Sequence, residues 1–168
     1  MNFLGSLNIR YKLSLLVGLF MITFILIAGS LIFGSRDTMM EDRKVKLQNI
    51  VEAAHSTAKH FYDQAQAGEM LDTQARTLAV EAIEWMRYDG GSGYIWINDF
   101  QPRMIMHPFV KKLEGKDISD FKDPNGKHLF VEFVKTVEAD GAGFVDYVWQ
   151  KGDDKNYLAP KLSYVKGF

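Results

Sequence analysis

Four side chains able to bind a small anion fall on predicted strands in the second half of the chain: Trp96, His107, Tyr147 and Lys161. Lys161 is the most telling. It follows Pro160 in a run, L-A-P-K-L-S-Y-V, that otherwise alternates like a half-buried strand. An ammonium there needs an anion, or must snorkel to water. His107 and Tyr147 can donate hydrogen bonds, and Trp96 offers an apolar wall with one N–H. A positive charge, two donors and an aromatic side suit a small carboxylate. The competing reading is an exposed edge-strand lysine with Tyr and Trp as ordinary core. Arg87, just before the strands, is a second candidate cation, since a guanidinium pairs well with a carboxylate. Its competing role is a basic residue at the end of a helix, facing the dipole.

The chain has no phosphate-binding loop, nucleophile elbow, cysteine ligand set or H-E-x-x-H helix. Gly90-Gly91-Ser92-Gly93 matches a phosphate loop only in glycine content and reads as a turn. His55 and His60 are five residues apart and do not share a helix face, so no metal site is expected there. No enzyme activity, metal or cofactor is expected.

The elements that must position these residues follow from punctuation and periodicity. Tyr94 to Asn98 alternates as a strand, with Tyr94 and Trp96 on one face and Ile95 and Ile97 on the other. Asp99-Phe100-Gln101-Pro102 turns the chain back into a strand over Arg103 to His107. A polar connection to Asn125 precedes a helix from about Lys127 to Glu138. A strand from Phe144 to Trp149, a hairpin loop from Lys151 to Asn156 and a strand from Tyr157 to Lys166 complete the run. Upstream, Gly68 breaks a helix, Asp72 or Thr73 caps the next, and its apolar stripe runs from Ala75 to Met86.

Ahead of all this lie 21 consecutive uncharged positions, Leu13 to Phe33, between Lys12 and Arg36. As a helix they span roughly 30 Å, the thickness of a bilayer core. A cleaved signal peptide or a buried core helix would ordinarily be shorter. Arg10 and Lys12 precede the span without an acid, which predicts a cytoplasmic tail over 1–12, a transmembrane helix over 13–33 and an extracytoplasmic domain over 34–168. The charged, Gly- and Pro-free stretch from Arg36 to about Gln66 reads as the same helix continuing outward as a stalk. All 21 acidic and 18 of the 20 basic residues follow the span, a net charge of −3. That balance argues against a nucleic-acid partner. The absence of cysteine fits an exported domain without disulfides. The fold class expected is α+β, one long helix beside a small antiparallel sheet.

Six blocks in order carry a family resemblance: R-Y-D-G-G-S-G-Y-I-W-I-N-D, M-H-P, L-E-G-K-D, K-D-P-N-G, G-F-V-D-Y-V-W and P-K-L-S-Y-V-K-G-F. Together they resemble the single Cache sensor domain of bacterial methyl-accepting chemotaxis receptors. The resemblance implies a long helix packed beside a PAS-like antiparallel sheet, in the cell membrane with its sensor outside. It also implies a small-carboxylate ligand such as acetate, propionate, pyruvate or lactate. The pocket positions it implies are Trp96, His107, Tyr147 and Lys161, with Tyr94 and Arg87 as further matches. Receptors of this kind continue beyond the equivalent of Phe168 with further strands, a second membrane helix and a cytoplasmic signalling region. The expectation is therefore a truncated sheet and an output lying elsewhere. That output is a chemotaxis coiled coil or, alternatively, a histidine kinase or cyclic-dinucleotide enzyme, with a non-signalling remnant as the remaining option. A homodimer through the stalk is the oligomer expected.

Overall fold

The computed structural model describes residues 8–151 and 154–168, without side chains at 31–37 and 155. The first seven residues of the expected tail, the side chains at the end of the expected span, and the tip of the 151–156 loop lie outside that description. Helix α1 covers Ile9–Gln66 and ends two residues before Gly68, as its composition requires. The contacts divide the chain into two units, Met1–Arg43 and Lys44–Phe168.

In the first unit, α1 is long and apolar enough over Ile9–Ser30 to cross a membrane by length and composition. Its large apolar side chains from Leu13 to Ile27 are all exposed. Water would not tolerate such a surface, whereas hydrocarbon would.

Among the described residues, the second unit holds the rest of α1, helices α2 (Asp72–Glu84) and α3 (Leu129–Asp140), and six strands. These are β1 (Arg87–Tyr88), β2 (Gly93–Tyr94), β3 (Ile97–Asn98), β4 (Met104–Met106), β5 (Ala142–Lys151) and β6 (Asp154–Lys166). Every strand pairing is antiparallel, as expected, but the strands form three pairs: β1–β2, β3–β4 and β5–β6. The single strand expected over Tyr94–Asn98 is split. Its first end is claimed by the chain leaving α2, where Arg87 pairs with Tyr94. Its second end is claimed by β4, through a register shift between Ile97 and Asn98.

Local chemistry explains the turns. Gly93 sits against the Tyr88 ring, where an added Cβ would lie 2.3 Å from ring carbons. Gly141 ends α3 in the left-handed region (φ 75°) and donates its N–H to Val137, a conformation that spares glycine the Cβ clash. Asp72 does not cap α2: Leu71 occupies the cap position with no side-chain bond, and Asp72 instead accepts a bond from Arg76 one turn on.

The alternation of β2–β3 survives the break. Tyr94 and Trp96 pack into the larger core with Phe130 and Phe133 of α3 and Val145, Tyr147 and Trp149 of β5. Ile95 and Ile97 pack into a second cluster around Ala54 of α1, Ile83 of α2 and Met106. Each fully buried large apolar side chain contributes about 1.5–3 kcal/mol. Asp123 pins the polar connection to this core. Its buried carboxylate accepts N–H bonds from Asn125 and Lys127 at 2.9 Å and from Val148 of β5 at 3.0 Å. Burial alone would raise its pKa, but those three donors hold it below the usual carboxylate range.

Candidate ligand-binding site

Register brings the first pair together. Tyr147 on β5 is directly opposite Lys161 on β6, so both side chains leave the same face of the hairpin. The Lys161 ammonium lies 4.7 Å from the centre of the Tyr94 ring, a cation–π distance. Lys161 is half-buried and has no carboxylate partner among the described residues, and burial lowers its pKa. Its charge also reaches His107, whose ring is 5.0 Å from that of Tyr94.

His107 follows β4 and is 2% exposed. Its Nδ1 accepts the backbone N–H of Phe109 at 3.2 Å and of Val110 at 3.0 Å. A ring nitrogen that accepts two bonds is unprotonated, so the proton of neutral His107 sits on Nε2, which is left to donate. Burial, followed by the nearby Lys161 charge, pushes the His107 pKa down to about 4. The imidazole is therefore neutral at physiological pH. Glu114 fixes the backbone beneath it, accepting the His107 N–H at 2.9 Å and the Lys111 ammonium at 3.0 Å.

Tyr147 is buried, and its hydroxyl is 3.0 Å from that of Ser163 on β6. Burial raises its pKa and that of Tyr94, so both phenols stay protonated. The Trp96 ring packs 5.1 Å from that of Phe133. Its N–H is already committed to Asn98 Oδ1 at 3.0 Å, so it adds no free donor.

Trp96, His107, Tyr147, Lys161 and Tyr94 are thus brought together, while Arg87 lies outside the group. It is exposed, starts β1 rather than ending the helix, and donates to the carbonyls of Glu84 and Met86. Its guanidinium stacks 5.2 Å from the Phe109 ring, which in turn meets Tyr94 at 5.0 Å. Residue-type reasoning passed over Trp149 and Ser163. Both were findable: Trp149 is two residues from Tyr147 and Ser163 two from Lys161, the period that shares a strand face.

Four of the five, Tyr94, Trp96, His107 and Tyr147, line a cavity of about 10 Å³ together with Leu129, Phe130, Phe133 and Trp149. That is about one water's worth of space. A far larger cavity, about 960 Å³, runs between α1, α2 and the strands, with Ile50, Val51, Ala54 and Ile83 among its apolar lining. Size favours the larger cavity, but His107 and Tyr147 line the smaller, and Lys161 reaches it only through its contact with the Tyr94 ring. Tyr94, Trp96 and Phe133 are walls of both.

A long helix beside antiparallel strands, with a cation and neutral donors drawn from β2, β4, β5, β6 and their flanks, is an arrangement able to hold a small molecule. A family described as Cache domain matches residues 25–168. The chain belongs to the Cache family. It is 29% identical over all 168 residues to the methyl-accepting chemotaxis protein McpP of Pseudomonas putida and spans 30% of that receptor's length. A solved periplasmic sensor domain of a chemotaxis protein is 46% identical, with a TM-score of 0.74 over 77% of this chain and 89% of that one. A Cache chemosensory domain solved for its carboxylic acid recognition is 37% identical, with a TM-score of 0.74 over 79% of this chain and 88% of that one.

Proposed function

We propose that this chain is the ligand-sensing part of a membrane chemoreceptor and that its ligand is a small carboxylate of the acetate, propionate, pyruvate or lactate type. Lys161 neutralises the carboxylate, His107 Nε2–H and the Tyr147 hydroxyl donate to it, and Tyr94 and Trp96 wall the short carbon tail. Arg87 stands outside this grip. The observation that carries the reading is Lys161 itself, a half-buried ammonium set over Tyr94 with no carboxylate partner among the described residues. An unpaired buried charge is costly, and an anionic ligand offsets that cost. The carboxylic acid recognition of a 37% identical Cache domain supports the same ligand class.

In this reading residues 13–33 anchor the chain in the cell membrane, the tail before them is cytoplasmic, and residues 34–168 face outward. Two copies associate through the stalk part of α1. Ligand binding then signals across the membrane by favouring one arrangement of that helix pair over another, by the difference in affinity for the two.

Isothermal titration of the full chain in detergent micelles with acetate, propionate, pyruvate and lactate tests the ligand class. At least one acid releases or absorbs heat at a single site, and Lys161→Ala removes it. If no acid binds, the carboxylate reading falls; if Lys161→Ala binds as well as the parent, the site assignment falls.

A further inference from the structure

Among the described residues one side-chain polar atom is buried without any partner: the indole Nε1 of Trp149. The other two tryptophans are accounted for. Trp85 is 80% exposed, open to solvent, and Trp96 donates to Asn98. Trp149 is 7% exposed, and its ring is held by Phe121 at 5.2 Å and Phe130 at 5.9 Å. It lines the small cavity with His107, whose ring is 6.1 Å away. The indole lies near enough to Tyr94 to favour its phenolate, yet its N–H meets no acceptor at hydrogen-bonding geometry.

We infer that the Trp149 N–H is a ligand donor, taking the second oxygen of the carboxylate whose first oxygen pairs with Lys161. This rests on the carboxylate reading and adds a specificity residue to it. An indole can only donate, so it discriminates for an acceptor. Its ring is locked by aromatic packing, whereas the lysine stem is flexible. A rigid donor beside a mobile cation selects two acceptor oxygens on one carbon, and an alcohol or a primary amide with one acceptor loses a contact. Leaving a buried donor unmet is costly, so the rejection is strong.

The test uses the full chain in micelles with ¹⁵N-labelled indoles, and acetate as the probe. Of the three indole resonances, the one that Trp149→Phe removes moves downfield on saturation with acetate, while that of Trp85 stays in place. Trp149→Phe, which keeps an aromatic ring, weakens acetate binding by about ten- to a hundred-fold. Should that variant not fold, Trp85→Phe and Trp96→Phe assign the Trp149 resonance by elimination, and its shift in the parent decides alone. Acetate binding with an unmoved Trp149 resonance, or with unchanged affinity in a folded Trp149→Phe, overturns the inference while leaving the carboxylate reading intact. Failure of the parent to bind any of the four acids overturns both.

Discussion

The ammonium of Lys161 stands 4.7 Å above the ring of Tyr94, and no carboxylate among the described residues neutralises it. The ring face attracts the cation, but a cation–π contact replaces only part of the water that burial removes. Lys161 is therefore held at a cost to the folded state.

That cost predicts opposite effects on stability and on binding. Burial lowers the folded pKa of Lys161 below its unfolded value, so between the two values the unfolded chain holds more protons and stability rises with pH. Below both values the full penalty is present. Lys161→Met, which keeps the stem and removes the charge, raises the melting midpoint of the unliganded chain and abolishes its upward shift with acetate. Scanning calorimetry with and without acetate reads both, and a lower unliganded midpoint in the variant counts against a penalised lysine.

His107 makes the domain acid-sensitive. Unfolded, it takes up a proton near pH 6.5; folded, only near pH 4. Unfolding thus binds a proton between those values, and stability falls as pH drops through that window, by about 3 kcal/mol in all. His107→Asn retains an oxygen that can accept the Phe109 and Val110 N–H bonds but cannot titrate. Urea unfolding at pH 7 and pH 4.5 shows a smaller loss in the variant than in the parent. An equal loss in both would place the acid sensitivity elsewhere, with Glu114 and Asp123 the first carboxylates to examine.

Leu129 sets the size of the cavity from the α3 side and is 1% exposed. Leu129→Ala removes three buried carbons and costs about 2–5 kcal/mol. The same change opens space beside Tyr147 and Phe133, so butyrate gains affinity relative to acetate. Competition titrations of the two acids against the variant and parent check the ratio; an unchanged ratio would mean that the tail lies away from Leu129.

Much of this arrangement was legible before any coordinates. The face alternation of Tyr94 and Trp96 against Ile95 and Ile97 follows from the two-residue period of a strand, and it survives even where the strand divides. Lys161 stood out because a charge after Pro160 breaks a half-buried pattern. Arg87 is the instructive contrast. Its type suited a carboxylate as well as Lys161 did, but the chain leaves α2 earlier than composition suggested. The pairing of Arg87 with Tyr94 places its guanidinium on backbone carbonyls and Phe109 instead.

The amino-acid sequence by itself determined the elements and their exposed or buried faces: the apolar helix, the strand alternation, the helix ends and the residue types available for binding. These are local properties, read from periodicity, charge and backbone freedom over a few positions. Tertiary structure alone decided which polar atoms remain free. Trp96 spends its N–H on Asn98 and Tyr147 shares its hydroxyl with Ser163, while Trp149 keeps a buried donor with no acceptor. Hydrogen-bond pairing depends on distances across strands and helices far apart in sequence, and residue spacing along the chain carries no record of them.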